Sequence, residues 1–564
     1  MKKKFKICLS CIMVLMIFIL ALPVGAFAAT EYGLYVNGEQ FTSDKLTINC
    51  GSGTAIFVPA TNTLTLNNAN ITKGYILKIV PDPYNPENYS NEIKGIYSTL
   101  GTLKLVVNGN NTISTSETDE SSVLKLRSIS GICCDGDLEI SGNGKLNINM
   151  SDIYCNSEVL WLNAIQVENL TVTDATINAS VKNASLMHAT NLIFNAISTA
   201  WDCTLNNCNI TAKCDVNHPY REGSPHVSGG MSITGNITLN NSNITAFGNT
   251  VGVLCDTFNG NGGSVTASSK SSVSDYSTGF SAFTLNLNGT TIKATSQNAE
   301  MSKAVAAYFA NIKSGTIISE CIGSSAYSYG IWGYTFNMDG GFVSAKACPL
   351  AANGTESYGI KASTSFKISG GDLVASGYKK AIYSESYNVS EYDSPQIFVA
   401  NTVNSANAAK TENAQQIETA LYAAIYSQTH SHTFSNSWKY DEAGHWHEAI
   451  CGHTEKSGYA AHNFSGAQCS ACGYKMPVSS VESVDKTSSM AESIIESTVS
   501  TESNVNSDTS DLVSDVSSAQ DVITSDQGNA EQEPADLTML WVGISAVAVV
   551  GIAVATILII KKKK

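Results

Sequence analysis

Arginine occurs only twice in 564 residues, at Arg127 and Arg221. No basic face is therefore available for nucleic acid, whose binding rests on Lys and Arg neutralising phosphates. Charge of either sign is scarce: Asp, Glu, Lys and Arg make up 14% of the chain, against about 25% in an ordinary soluble domain. A compact disulfide framework is lacking too. The 15 Cys follow no such spacing up to Cys348, and most read as small core hydrophobes; Cys133-Cys134, Cys203 and Cys208 leave pairing open. Of the net charge of −15, segment 478–537 carries 13 acidic residues against Lys486 alone, so the acidity belongs mostly to that segment.

What is present at the ends points to export. Lys2, Lys3, Lys4 and Lys6 precede an apolar run from Ile7 to Leu22 that closes on Ala26-Phe27-Ala28, the pattern of a secretory signal peptide over 1–28. Cys11 stands before most of that run, which argues against lipid attachment. Residues 538–560 are uncharged after Leu537-Thr538, long enough as a helix to cross a membrane, and Lys561 to Lys564 form a cytoplasmic stop. The tail is similar to the sorting signals of wall-anchored proteins, but Pro534-Ala535-Asp536-Leu537 stands where Leu-Pro-x-Thr-Gly would be. Membrane and wall retention both stay open, on the extracellular face of a Gram-positive-type envelope.

Between the ends lies a repeat. An aliphatic residue is followed five positions later by another, with Asn, Gly, Asp, Ser or Thr between: Leu66/Ile71, Val172/Ile177, Leu205/Ile210, Leu239/Ile244, Leu287/Ile292, Ile312/Ile317, Met338/Val343 and Ile368/Leu373. An apolar residue two positions earlier, as at Leu64, Leu170 and Ile237, gives the period of two that marks a strand. Gap residues such as Asn241-Ser242-Asn243 tolerate left-handed angles and permit a sharp corner. Val107/Ile113 and Ile140/Leu146 repeat the unit with one more corner residue, and Gly260/Val265 with Gly at its first site. A third element recurs as Gly95-Ile96, Gly131-Ile132, Ala164-Ile165, Gly330-Ile331 and Ala381-Ile382. Three strands per coil and eleven coils predict an all-β, parallel β-helix over 29–427, a solenoid on the order of 50 Å long at the usual strand spacing of about 4.8 Å. Its open ends need covering. Residues Ser405 to Thr419 have helical composition suited to one end, and Ala420 to Ser427 read as a last strand.

Leu34-Tyr35-Val36-Asn37-Gly38 and the run Pro59 to Ala69 resemble an opening motif of Firmicutes surface proteins described as carbohydrate-binding-domain or pectin-lyase-like β-helix proteins. The resemblance covers about 30–427 and implies a right-handed β-helix with adhesion or glycan binding, without assigning a substrate.

A uronide lyase on such a scaffold needs a Lys or Arg base and carboxylates clustered round Ca²⁺; a hydrolase needs paired Asp or Glu. Neither pattern stands out, so the residues lean against an enzyme while leaving a pectin-type lyase, a structural spacer and a Ca²⁺ site open. The stretch Cys214 to His226, which holds Arg221 and Asp215, reads as a solvated insertion. For binding, the outward position after each inward Ile carries Tyr97, Trp332 and Tyr383, with Tyr329, Tyr358, Tyr327, Tyr334 and Tyr378 nearby. Tyr97, Tyr329, Trp332, Tyr358 and Tyr383 are the candidate ligand residues, because exposed aromatic faces stack on the apolar faces of sugars. Ordinary packing of Tyr is the competing explanation. An extracellular glycan, from host or cell wall, is the expected partner.

Six of the nine His fall between 430 and 462, followed by Cys469-Ser470-Ala471-Cys472-Gly473. Soft sulfur and imidazole donors at knuckle spacing suit tetrahedral Zn²⁺, and a segment as short as 428–477 gains from a metal what it lacks in core. The candidate ligands are Cys451, Cys469, Cys472 and either His462 or His447. The segment resembles ribbon-like modules of the same kind of surface protein, in which the first knuckle normally has two Cys; Ala449-Ile450-Cys451 leaves one. Residues 478–537, rich in Ser, Thr and acids, read as an extended disordered stalk.

Overall fold

In the computed structural model, residues 29–79, 90–115, 118–119, 126–151, 154–155, 159–182, 185–186, 191–216, 226–271, 276–324, 326–348, 356–427, 434–449, 456–465 and 468–475 are described. The expected signal peptide, most of the 214–226 insertion, Cys451, the expected stalk and the apolar tail lie outside them. Among the described residues no helix is long and apolar enough to cross a membrane. They fall into two units, one within Met1–Phe434 with Ala449, the other within Ser435–Glu448 and Lys456–Ala553.

The first unit is all-β and dominated by one large sheet of parallel pairings. Three ladders run through it because each coil contributes one strand to each. The first ladder starts Ser90–Ser98, Leu126–Cys134, Val159–Val167 and Asn191–Thr199. The second includes Thr102–Asn108, Asp137–Ser141 and Leu170–Thr173. The third includes Asn110–Thr115, Lys145–Ser151 and Thr176–Lys182. The inward residue of the first ladder runs through Ile96, Ile132, Ile165, Ile197, Met231, Val253, Phe280, Val305, Ile331, Ile360 and Ile382, all buried in one core. Those are the eleven rungs that the repeat predicted.

Both members of each five-residue pair point into that core, from Leu66/Ile71 to Ile368/Leu373. The corner between them takes the left-handed conformation: Asn68, Asp174, Asn207 and Asn241 have φ between 47° and 55°, Gly109, Gly142 and Gly289 stand at the same place in other coils, and Gly315, Gly341 and Gly371 one residue later. Asn and Gly tolerate that region at least cost, which is why the sequence keeps returning to them. Outside the wall, amides stack. Asn286, Asn311 and Asn337 each donate Nδ2 to Oδ1 of the Asn one coil earlier, at 3.0, 3.0 and 3.2 Å, beginning from Asn259.

The ends are closed by antiparallel pairing. Leu34 to Val36 run against Ile96 to Ser98, so the opening motif buries Leu34 and Val36 and covers the first coil. Tyr422–Tyr426, the expected last strand, runs antiparallel to both Asp372–Ser376 and Gln396–Ala400. The helical reading of Ser405 to Thr419 is corrected: only two short 3₁₀ turns form, Ser405–Asn407 and Ala414–Glu418, with Ile417 buried. The strand Ala409–Thr411 between them pairs with Gln396–Ala400, and this competing sheet pairing interrupts any helix.

The cysteines from Cys50 to Cys348 whose side chains are described are free thiols, Cys203 and Cys208 included, and all but the half-buried Cys348 are buried. Cys50, Cys134, Cys203, Cys208, Cys214 and Cys255 pack in the inward core, and burial pushes thiols such as Cys214 up to about 12.

Replacing Ile165, fully buried, with Ala is expected to cost about 2–5 kcal/mol, whereas Thr171→Ala on the outer wall should stay within about 0.5 kcal/mol. Urea unfolding followed by circular dichroism separates the two.

Candidate functional site

The first ladder is not straight. Residues three apart on a flat strand face opposite sides, yet Asn163 Nδ2 donates to Gln166 Oε1 at 3.2 Å, and Lys361 Nζ lies 5.6 Å from the Tyr358 ring. The strand must bend between them, at the small residue and Ile. Those small residues have no room for more: a Cβ on Gly330 would sit 2.5 Å from Gly359 O. The bend sets the residue before the small one and the residue after the Ile on the two walls of an outward trough.

Four of the five sequence-derived aromatic candidates lie in this trough with almost no exposure: Tyr97 at 7%, Tyr329 at 3%, Trp332 at 6% and Tyr358 at 4%; Tyr383 is half-buried. Their outward placement holds, since Tyr329, Trp332, Tyr358 and Ala306 form a cluster apart from the main core. The expected open stripe is corrected, because the trough walls and their lysines cover the rings. Lys303 Nζ sits 3.8 Å from the Trp332 ring centroid, and Lys361 Nζ lies 5.6 to 5.9 Å from those of Tyr329, Tyr358 and Tyr383. Tyr97 stacks on Tyr75 and Tyr35 and donates to Asp135 Oδ2 at 3.0 Å.

The open rings are others. Phe283, Tyr308 and Tyr334 stand on three successive coils with centroids 5.2 and 5.1 Å apart. Phe283 is 45% exposed, Tyr334 38% and the adjacent Phe309 37%; Tyr308 is half-buried and meets Trp332 edge-on at 5.1 Å. Each ring follows an inward residue by three: Phe280, Val305 and Ile331. That offset of three is as regular in the sequence as the offset of one that marks the covered column.

Glu356 ties the trough together. It accepts from Tyr329 OH at 2.9 Å and pairs with Lys361 at 3.1 Å and Lys379 at 3.5 Å. Burial opposes its ionisation, but Lys361 and the Tyr329 hydrogen bond outweigh burial and hold the carboxyl below the usual range. Tyr329 is pushed well up by burial and by Glu356.

In the second unit, three strands, Phe434–Tyr440, His445–Ala449 and Lys456–Ala460, form a small sheet. One nitrogen or sulfur from each of His445, His462, Cys469 and Cys472 lies within 4.8 Å of the others, so the four could hold a metal ion. Cys469 Sγ is 3.8 Å from His445 Nδ1, and Cys472 Sγ is 3.4 Å from His462 Nδ1. The knuckle is built by backbone: Gly473 N donates to Cys469 O at 3.0 Å, with Gly473 at φ 74°. Burial opposes the Cys469 thiolate, but the backbone N–H of Cys472 and the His462 ring lower its pKa. His462 Nε2 lies 2.7 Å from Asp441 O, which fixes the ring with Nδ1 turned to the sulfurs.

Of the sequence-derived ligands, His462, Cys469 and Cys472 come together. Cys451 lies outside the described residues, and His447 is elsewhere, stacked on Trp438 at 3.9 Å. His445 takes the fourth place: His-Trp-His puts both imidazoles on one face of the strand, and only the fold distinguishes them.

Because the folded Glu356 carboxyl is held low, its contribution is present above the usual glutamate value of 4.5 and lost as pH falls through the lower folded value. Glu356→Gln should remove about 1–3 kcal/mol at neutral pH and flatten this acid-side decline in a pH series of urea midpoints. The chain matches no family model, no curated protein and no solved structure.

Proposed function

We propose that this chain displays a right-handed parallel β-helix on the outer face of a bacterial envelope and binds glycan with it. The observation that carries the reading is the exposed ring ladder Phe283, Tyr308 and Tyr334. Rings repeated at the coil spacing offer an extended saccharide one apolar platform after another, and aromatic anchors dominate binding when water is excluded around them. Trp332 braces the ladder from behind. The opening motif and its resemblance to Firmicutes carbohydrate-binding and pectin-lyase-like surface proteins agree with this. Export by 1–28 and retention by 538–564 belong to the same proposal.

We further infer that the His445, His462, Cys469 and Cys472 cluster holds structural Zn²⁺. With Zn–S near 2.3 Å and Zn–N near 2.0–2.1 Å, tetrahedral sulfur and nitrogen ligands lie roughly 3.6 Å apart. The two pairs at 3.8 and 3.4 Å bracket that value. Bound metal would supply the folding free energy that so small a sheet cannot draw from a core.

Tyr308→Ala and Tyr334→Ala should each weaken retention on the recognised polysaccharide by about 1–2 kcal/mol, roughly 5- to 30-fold. Affinity electrophoresis through pectin, mucin and wall-glycan gels reads this, and unchanged mobility shifts in both variants on every glycan retained by the wild type would end the proposal. Metal analysis of the purified chain should return one Zn²⁺, lost in His445→Ala and kept in His447→Ala; the reverse order would displace His445 from the site.

A further inference from the structure

Towards its start the trough of the first ladder holds a different set of side chains. In the paired strands Leu126–Cys134 and Val159–Val167, Cys133 lies directly opposite Gln166. Each follows an inward Ile by one residue, so both stand on the same outer wall. Parallel strands are about 4.8 Å apart, which makes the thiol and the carboxamide neighbours. The carboxamide leans toward the Cys133 coil: its Oε1 accepts from Ser130 Oγ at 3.3 Å and from Asn163 Nδ2 at 3.2 Å. From the preceding coil, Lys94, opposite Ser130, donates to Ser128 Oγ at 3.1 Å and pairs with Glu92 at 3.2 Å.

Water is nearly excluded, with Lys94 at 2%, Ser130 at 0%, Cys133 at 7% and Asn163 at 4% exposure. Within this enclosure Asn163 Oδ1 has no hydrogen-bond partner. An unpaired buried acceptor is costly and rare, and this one belongs to the side chain whose other end holds the Gln166 carbonyl. Such a group is expected at a site where chemistry needs an acceptor.

The parts correspond to an acyl transfer. Sulfur is the nucleophile. Burial holds the Cys133 thiol above its ordinary value, a rise that the Lys94 ammonium beside it offsets only in part. Ser130 and Asn163 place two donors on the oxygen that gains charge when the carboxamide is attacked. Asn163 Oδ1 is free to accept from the departing nitrogen.

We propose that Cys133 and Gln166 condense to an internal thioester that links two successive coils and stores an acyl group for transfer to a primary amine on a partner surface. The bond between Sγ and Cδ forms, the bond between Cδ and Nε2 breaks, and the thiol proton leaves with that nitrogen as ammonia. No oxidant or further reactant is consumed. A primary amine attacking Cδ then forms an amide at residue 166 and returns the Cys133 thiol. Gln166 is half-buried, which leaves an approach for the amine. The proposal goes beyond glycan binding and does not depend on it.

Peptide mapping of the full chain tests it. Trypsin cuts after Arg127, Lys145 and Lys182, so Cys133 and Gln166 fall in separate peptides, 128–145 and 146–182. After denaturation and digestion in mild acid, the two should appear as one species lighter than their sum by one ammonia. Methylamine should separate them, leaving N-methylglutamine at 166 and a Cys133 newly open to iodoacetamide. Gln166→Ala and Cys133→Ser should each abolish the linked species; Ser stands at the Cys133 position in other coils, at Ser198 and Ser232, so both variants should fold with unchanged circular dichroism. Separate wild-type peptides carrying intact Gln166, with Cys133 alkylated without methylamine, would overturn the proposal.

Discussion

The first unit depends on one thing: the row of backbone N–H and C=O groups that each coil presents to the next. Parallel pairing satisfies those groups only in register, and the register is held by the inward residues. Ile132 lies between Ile96 and Ile165, and Ile177 between Leu146 and Ile210. A slip of one residue would turn each aliphatic outward. The core is thus a set of columns, each coil meeting only its neighbours, and the ends must be closed by chain running the other way. Leu34 to Val36 and Tyr422–Tyr426 do so.

Once the inward columns hold the register, the outward columns are free to differ from coil to coil. The outer face of the second ladder uses that freedom for amide stacking, as in Asn259, Asn286, Asn311 and Asn337. The bent first ladder uses it for chemistry. Near its start the trough encloses Lys94, Cys133, Asn163 and Gln166; further along it encloses Tyr329, Trp332, Tyr358 and Glu356. The same bend produces both, because it brings residues three apart onto facing walls of a space that water scarcely enters. In such a space an unpaired polar atom is expensive and a paired one is strong. Glu356, bound by a tyrosine and two lysines, and Asn163 Oδ1, bound by nothing, are the two extremes.

The second unit obeys a different constraint. Its three short strands cannot bury enough apolar surface to order themselves. Order there centres on imidazole and sulfur, with Trp438 packed against both His445 and His447. The knuckle turn of Cys469 to Gly473 is local and reads directly from its spacing. The choice of the second imidazole is not local, because a strand alternation of two leaves His445 and His447 on one face.

The sequence by itself determined the coil: the five-residue spacing, the corner residues and the small-then-branched pair are local patterns, and each follows from what a backbone corner or a pleated strand accepts. It also determined the count of eleven and the packing role of the inward thiols, such as Cys203 and Cys208. Tertiary structure alone decided what meets across coils. Cys133 and Gln166 are 33 residues apart, Asn311 and Asn337 are 26 apart, and no fixed period links such partners, because the segments between the third and first ladders vary in length. Exposure was decided the same way. An outward position follows from alternation, but whether it is open depends on the bend and on side chains from the coils on either side. Tyr329 and Trp332 are covered while Phe283 and Tyr334 are open for that reason.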